Sequence, residues 1–260
     1  MAPVKEQTLS LWGDQVKPRV MVAGSGAPLV YFHGGMGLHW GGFLDTLARD
    51  FTVYAPELPG TTPGDQDALR ALDDWWDVVL YHYEMFDALK LTAPAIVGHG
   101  FGAMLAAEVA ATDPARARKL VLMSAMGLWR DDTPIRNYIV TPQPELAPLI
   151  FMNPDHPMRA KLFPDLNDVD SVIKFKWTLA CVAKFIWPIP DKGLKKRLGR
   201  IKAPTLIVWG RQDKLIPPVY ANEFASRITG AKVELIDGAS HMLEIENTAA
   251  VANAVTSFLK

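Results

Sequence analysis

IVGHGFGAM, residues 96–104, runs from an apolar strand through the alternating glycines Gly98, Gly100 and Gly102 into an alanine-rich helix. Strand, sharp turn and helix is the geometry that lifts one side chain to the tip of a sheet. The residue at the tip here is Gly100, which has no side chain. The helix that follows, FGAMLAAEVAATDP, is stopped by Pro114.

Around this stretch, short apolar runs alternate with helical patterns. TLSLW and RVMVAG, placed about Gly13 and Asp14, predict an opening hairpin. PLVYFHGG and FTVYAPELPG predict two buried strands, with the short helix FLDTLARD between them. A helical pattern covers about Asp65 to Lys90. RKLVLMSA, PTLIVWG and KVELIDG predict three further strands after the helix at 101–114. Continuous Val/Ile/Leu strands separated by helices predict an α/β fold: a mostly parallel central sheet with helices on both faces. Residues 127–200 break the alternation, with prolines, aromatics and short helical patterns but no clear strand. We expect a helical cap at 127–200 inserted into a core made of 1–126 and 201–260. Aromatics of a cap that face the sheet would line an apolar pocket, and Trp129, Trp177, Phe185 and Trp187 are the candidates. The basic run KGLKKRLGRIK at its end reads as a solvated helix face.

Composition narrows the function classes. Lys plus Arg is 27 against 28 Asp plus Glu, a net charge of −1. A nucleic-acid binder would show a basic surplus. With almost half its residues hydrophobic, the chain can build one large core. The lone cysteine, Cys181, has no partner within the chain and fits a reducing compartment. The first twenty residues lack the apolar core of a signal peptide, and no apolar run is long enough to span a bilayer. The expectation is a cytoplasmic protein acting on a small molecule, without membrane, nucleic acid, metal or cofactor, as a monomer or homodimer.

In a parallel sheet, chemistry collects at the carboxyl ends of the strands. Those ends read FHGGMG, GHGFGA, WGRQD and DGASHM in chain order. With these four motifs in this order on strand ends, the chain resembles the α/β-hydrolase superfamily over nearly its whole length. The resemblance implies that Gly98-His99-Gly100-Phe101-Gly102 is the nucleophile elbow, Asp213 the acid and His241 the base. A neutral imidazole can take a proton near pH 7 and return it, and the acid fixes its tautomer. The backbone N–H of Phe101 is one implied oxyanion donor, and that of Gly35 or Met36 the other. Asp237, four residues before His241, competes with Asp213 for the role of acid. His33 and His99, beside glycines, read as residues that pin turns. His39, His82 and His156 read as structural or exposed.

Three readings follow for Gly100. A serine hydrolase has had its nucleophile replaced, by design or by loss. Alternatively, glycine is natural and the protein binds a ligand or catalyses something other than hydrolysis. Or the nucleophile was an aspartate, as in the epoxide and haloalkane branches. Those branches usually carry a Trp or similar residue where this chain has Phe101, and HGGMG lacks the proline of the epoxide loop. Asp213, His241 and the oxyanion loop together favour the serine reading. The implied substrate is a hydrophobic carboxylic ester, cleaved through an acyl-enzyme. Carbon–carbon cleavage of the meta-cleavage type and a ligand-binding pseudo-hydrolase are the alternatives.

Overall fold

Residues of alternating parity along each strand enter two different cores. Leu29 and Tyr31, Ala95 and Val97, Val121 and Met123, and Leu206 and Val208 join one buried cluster. Val30 and Phe32, Ile96, Leu120 and Leu122, and Ile207 and Trp209 join another. Successive side chains of a strand point to opposite faces, so strands apolar at both parities must be covered on both sides.

The computed structural model describes residues 3–260. Its strands are β1 (Lys5–Thr8), β2 (Arg19–Ala23), β3 (Ala27–Phe32), β4 (Phe51–Pro56), β5 (Ala95–His99), β6 (Lys119–Met123), β7 (Thr205–Gly210) and β8 (Lys232–Ile236). They form one eight-stranded sheet in the order β1-β2-β4-β3-β5-β6-β7-β8. The β1–β2 and β2–β4 pairs are antiparallel. The remaining pairs, from β4–β3 to β7–β8, are parallel.

The helices are α1 (Gly42–Leu47), α2 (Trp75–Ala88), α3 (Phe101–Thr112), α4 (Gln143–Ile150), α5 (Arg159–Leu162), α6 (Val169–Ile186), α7 (Val219–Ala225), α8 (Leu243–Glu246) and α9 (Thr248–Leu259). Phe43, Leu44 and Leu47 of α1 join Val251, Val255 and Leu259 of α9 on one face of the sheet. The other face carries α2, α3 and α7 through residues such as Phe86, Met104, Leu105 and Phe224. Among the described residues, no helix is long and apolar enough to cross a membrane.

Three local expectations are refined. The opening hairpin forms, but its first strand ends at Thr8 and so overlaps TLSLW at that residue alone, leaving a Leu11–Val16 bridge around a turn in which Gly13 and Asp14 have φ of 63° and 69°. The helix expected over 65–90 is broken into a 3₁₀ segment, Gln66–Ala71, and α2. The Asp74 carboxylate restarts the helix by accepting from the N–H groups of Trp76 and Asp77. The basic run forms two 3₁₀ turns, Leu194–Lys196 and Leu198–Arg200, not a solvated helix. Its Arg197 pairs with Glu108, fully buried on α3, and Arg200 Nε donates to the Ala111 carbonyl at 2.9 Å. These contacts fasten the end of the insertion to α3. Between β6 and β7 the described chain contains α4, α5, α6 and these turns, but no strand.

Candidate active site

The turn between β5 and α3 is fixed by its own backbone. Gly100 has φ 53° and ψ −112°. Its N–H donates to the Met123 carbonyl at 2.9 Å, and its carbonyl accepts from the N–H groups of Met104 and Met126 at 3.2 and 3.1 Å. The three glycines serve different ends. A Cβ on Gly98 would lie 2.4 Å from the Gly102 carbonyl oxygen, and one on Gly102 would lie 2.1 Å from that of Phe32. Those two glycines let α3 pack hard against β5 and β3. A Cβ on Gly100 would meet nothing nearer than His241 Nε2, at 3.4 Å. Space for a side chain therefore exists at the tip, and it points at an imidazole. Only the positive φ there favours glycine.

That imidazole is held from its far side. His241 Nδ1 lies 3.0 Å from Asp213 Oδ2, so the ring donates its Nδ1 hydrogen and a neutral imidazole keeps its Nε2 lone pair for the tip. Asp213 is 3% exposed, and its Oδ1 accepts from the N–H groups of Leu215 and Ile216, each at 2.9 Å. Both oxygens are thus fixed by the loop after β7. The His241 main chain is pinned as well, since its carbonyl accepts from His99 Nε2 at 2.9 Å. On either side of it, the Ser240 N–H donates to Glu246 Oε2 at 2.7 Å and the Met242 N–H to the Ile150 carbonyl at 3.1 Å. Asp237 stands elsewhere, its side chain 77% exposed and paired with Arg211.

The loop after β3 closes a third side. Its turn bond runs from the Gly37 N–H to the Gly34 carbonyl at 3.2 Å and does not engage the N–H groups of Gly35 and Met36. Phe101 opens α3, so its N–H is one of the donors that a helix start leaves without an intrahelical partner, and the helix dipole favours negative charge there. His33 ties the loop down: Nδ1 donates to the Gly34 carbonyl at 2.7 Å and Nε2 accepts from the Leu58 N–H at 3.1 Å. Burial pushes the His33 and His99 pKa values down, which keeps both rings neutral.

A cavity of about 290 Å³ lies over this corner. Gly34, Gly35, Met36, Phe101 and His241 line its floor, and Leu146, Ile150, Met158 and Leu162 of the insertion line its roof. None of Trp129, Trp177, Phe185 and Trp187 lines it. Trp129 borders a separate cavity of about 130 Å³. Trp177, 39% exposed, donates its indole N–H to the Gly60 carbonyl, Phe185 is buried in the packing of α6, and Trp187 is 51% exposed. Aromatic size marks residues that can fill a core, but not the face on which a helix presents them.

The cavity also holds polar residues that no motif announces. His39, Tyr138, Lys161 and Glu244 all border it, and His99 borders it as well as pinning His241. His39 is therefore a cavity residue, while His82 and His156 are structural. His82 donates to the Val78 carbonyl within α2, and the His156 ring stacks on Phe151. Glu244 Oε1 lies 3.5 Å from His99 Nδ1, and its Oε2 has no hydrogen-bond partner among the described residues. The sequence does offer one signal for Glu244. It falls three residues after His241, in the first turn of α8, and so stays close to the same corner. Among the described residues, no cluster of three or more His, Cys, Asp or Glu side chains could hold a metal ion.

This arrangement can accept a proton at Nε2 of an oriented imidazole and offer N–H groups to an oxygen beside it. The family model described as the Alpha/beta hydrolase family matches residues 29–254. Over 257 residues the chain is 27% identical to a 2-hydroxymuconate semialdehyde hydrolase from a Pseudomonas species, covering 91% of this chain and 88% of that protein. Its fold is similar to that of a meta-cleavage product hydrolase of Pseudomonas fluorescens, with a TM-score of 0.72, 18% identity and 97% of each chain covered. It is also similar to a naproxen esterase of Bacillus subtilis, with a TM-score of 0.73, 16% identity and 100% and 92% of the two chains covered.

Proposed function

Because this chain belongs to the alpha/beta hydrolase family, we propose that it is a serine-type carboxylic ester hydrolase in which Gly100 occupies the nucleophile position. The observation that carries this reading is the 3.4 Å between a Cβ at Gly100 and His241 Nε2. A hydroxyl on that Cβ can come within hydrogen-bond reach of Nε2 by rotation about χ1. His241 would take its proton as the oxygen attacks an ester carbonyl, with Asp213 stabilising the imidazolium. The N–H groups of Phe101 and of Gly35 or Met36 would receive the oxyanion. His241 would then return the proton to the leaving alkoxide, and water would repeat the sequence to release the acid. The residues inserted between β6 and β7 would act as the cap, their Leu, Ile and Met side chains taking the apolar part of a medium-sized ester.

With glycine at the tip, the same His241 can activate only a water, so hydrolysis by the protein as it stands would be weak and would proceed without an acyl-enzyme. Carbon–carbon cleavage of a dienoate by this acid–base pair is the second reading, favoured by the similarity to the 2-hydroxymuconate semialdehyde hydrolase. Gly100→Ser tested against a panel of hydrophobic esters, lactones and vinylogous diketones decides among the readings. Losing the serine of such a triad costs on the order of 10⁶ in rate, while the remaining groups keep roughly 10³–10⁴ over water. The variant should therefore hydrolyse esters at least about a thousandfold faster than the Gly100 protein. Turnover of the diketones alone would favour carbon–carbon cleavage. No gain on any substrate would leave the protein a binder.

A further inference from the structure

Tyr138 is 4% exposed, and its hydroxyl has no hydrogen-bond partner among the described residues. A buried hydroxyl without a partner costs free energy that a phenylalanine of the same shape would not. The hydroxyl is also not placed at random. A Cβ built on Gly35 would lie 2.1 Å from the Tyr138 oxygen, so the absence of a side chain at Gly35 is what lets the hydroxyl sit on the loop after β3. Tyr138 borders the cavity above His241, and together with Met126 it borders the smaller cavity behind as well. Burial pushes its pKa up, so the phenol keeps its hydrogen throughout the neutral range and can only be a neutral donor or acceptor there.

We propose that the Tyr138 hydroxyl is a third hydrogen-bond donor to the substrate oxygen received beside Gly35 and Phe101. Its partner is the bound ligand itself: the oxyanion of an ester in the transition state, or one oxygen of a carboxylic acid product. Tyr138 is in these terms a catalytic residue, supplied by the insertion to a corner otherwise built from backbone N–H groups. Hydrogen bonds from a neutral donor to a charged oxygen are about twice as strong as neutral pairs, which is the return on carrying a buried hydroxyl. The proposal rests on the ester-hydrolase reading of the site, but a carboxylate ligand tests it without turnover.

The test is Tyr138→Phe in the Gly100 protein, with phenylacetate binding followed by calorimetry and matched thermal melts without ligand. Phenylacetate should bind the parent and bind the variant at least about tenfold more weakly, as loss of a hydrogen bond to a charged oxygen does. The ligand-free variant should melt at the same temperature or higher, because it loses an unpaired buried hydroxyl. In the Gly100→Ser background, Tyr138→Phe should lower kcat by roughly 10²–10³-fold, as removal of one oxyanion donor does, with KM little changed. Equal phenylacetate affinity in the two proteins, no phenylacetate binding to the parent, or a melt lowered by several degrees would each overturn the proposal. If Gly100→Ser turns over no ester, the ester reading falls while the phenylacetate comparison still decides the role of Tyr138.

Discussion

Alanine at each of the three elbow glycines separates backbone strain from lack of space. At Gly100 a Cβ has its nearest neighbour at 3.4 Å, an ordinary van der Waals contact, so no atom must move. What remains is the backbone at φ 53° and ψ −112°, which costs a residue with a Cβ about 1–3 kcal/mol. Replacing glycine also removes unfolded-state freedom, which offsets roughly 0.5–1 kcal/mol. The net expected for Gly100→Ala is a loss of about 0.5–2 kcal/mol, or a melt lower by about 1–8 °C at roughly 2–4 °C per kcal/mol. Gly98→Ala and Gly102→Ala face carbonyl oxygens at 2.4 and 2.1 Å, and those oxygens belong to backbone that no rotamer can move aside. Each should cost more than the roughly 1–3 kcal/mol of ordinary overpacking, or prevent folding. The assay is circular-dichroism melting of the parent and the three variants at one pH without ligand. If Gly100→Ala melts as high as the parent, or as low as its two neighbours, the tip of the turn is not where we place it.

Two further outcomes follow from the same geometry. In the Gly100→Ser background, Asp213→Asn should lower kcat by about 10⁴, as loss of the correct imidazole tautomer does, while Asp237→Asn, at an exposed Arg211 pair, should change it little; steady-state kinetics that reverse this order would refute the assignment of the acid. His82, fully enclosed between α2 and β3, has its pKa lowered by burial from 6.5 to about 4. The unfolded chain therefore binds this proton below about pH 6.5 and the native state only below about 4, so stability is full above 6.5. It falls by about 1.4 kcal/mol per unit down to pH 4, roughly 3 kcal/mol in all. His82→Gln should flatten the pH dependence of the unfolding free energy by about one proton over that window, and parallel curves would contradict it.

What could be read from the sequence was whatever a local pattern must encode. The strand cores of β3, β5, β6 and β7 are continuous apolar runs because both faces are covered, and that burial is visible in composition alone. Asp213 and His241 were expected from the resemblance, since each follows a strand that it marks, and the structure sets Asp213 Oδ2 3.0 Å from His241 Nδ1. The break before α2 was less legible, because the residues on both sides of it suit a helix and only the Asp73–Asp74 pair marks the restart. Nothing in the sequence singles out Tyr138, which lies in a turn between β6 and β7, where no period says which way a side chain points. Trp177 and Trp187 show the converse. Their size suggests a pocket, yet one caps the Gly60 carbonyl and the other faces solvent. Arg197 looked like one more solvated charge, and only the tertiary fold sets it against the buried Glu108.

The central claim is that position 100 is a nucleophile site served by His241 and Asp213, and covalent capture tests it most directly. The Gly100 protein, the Gly100→Ser variant and the Gly100→Ser, His241→Ala double variant would be treated with an alkyl fluorophosphonate. Intact-mass and peptide mass spectrometry would then follow the adduct with time. The account predicts one adduct, at position 100, in Gly100→Ser, none in the Gly100 protein, and labelling slowed by orders of magnitude without His241. An unlabelled Gly100→Ser protein, or labelling at position 100 as fast without His241 as with it, would contradict it.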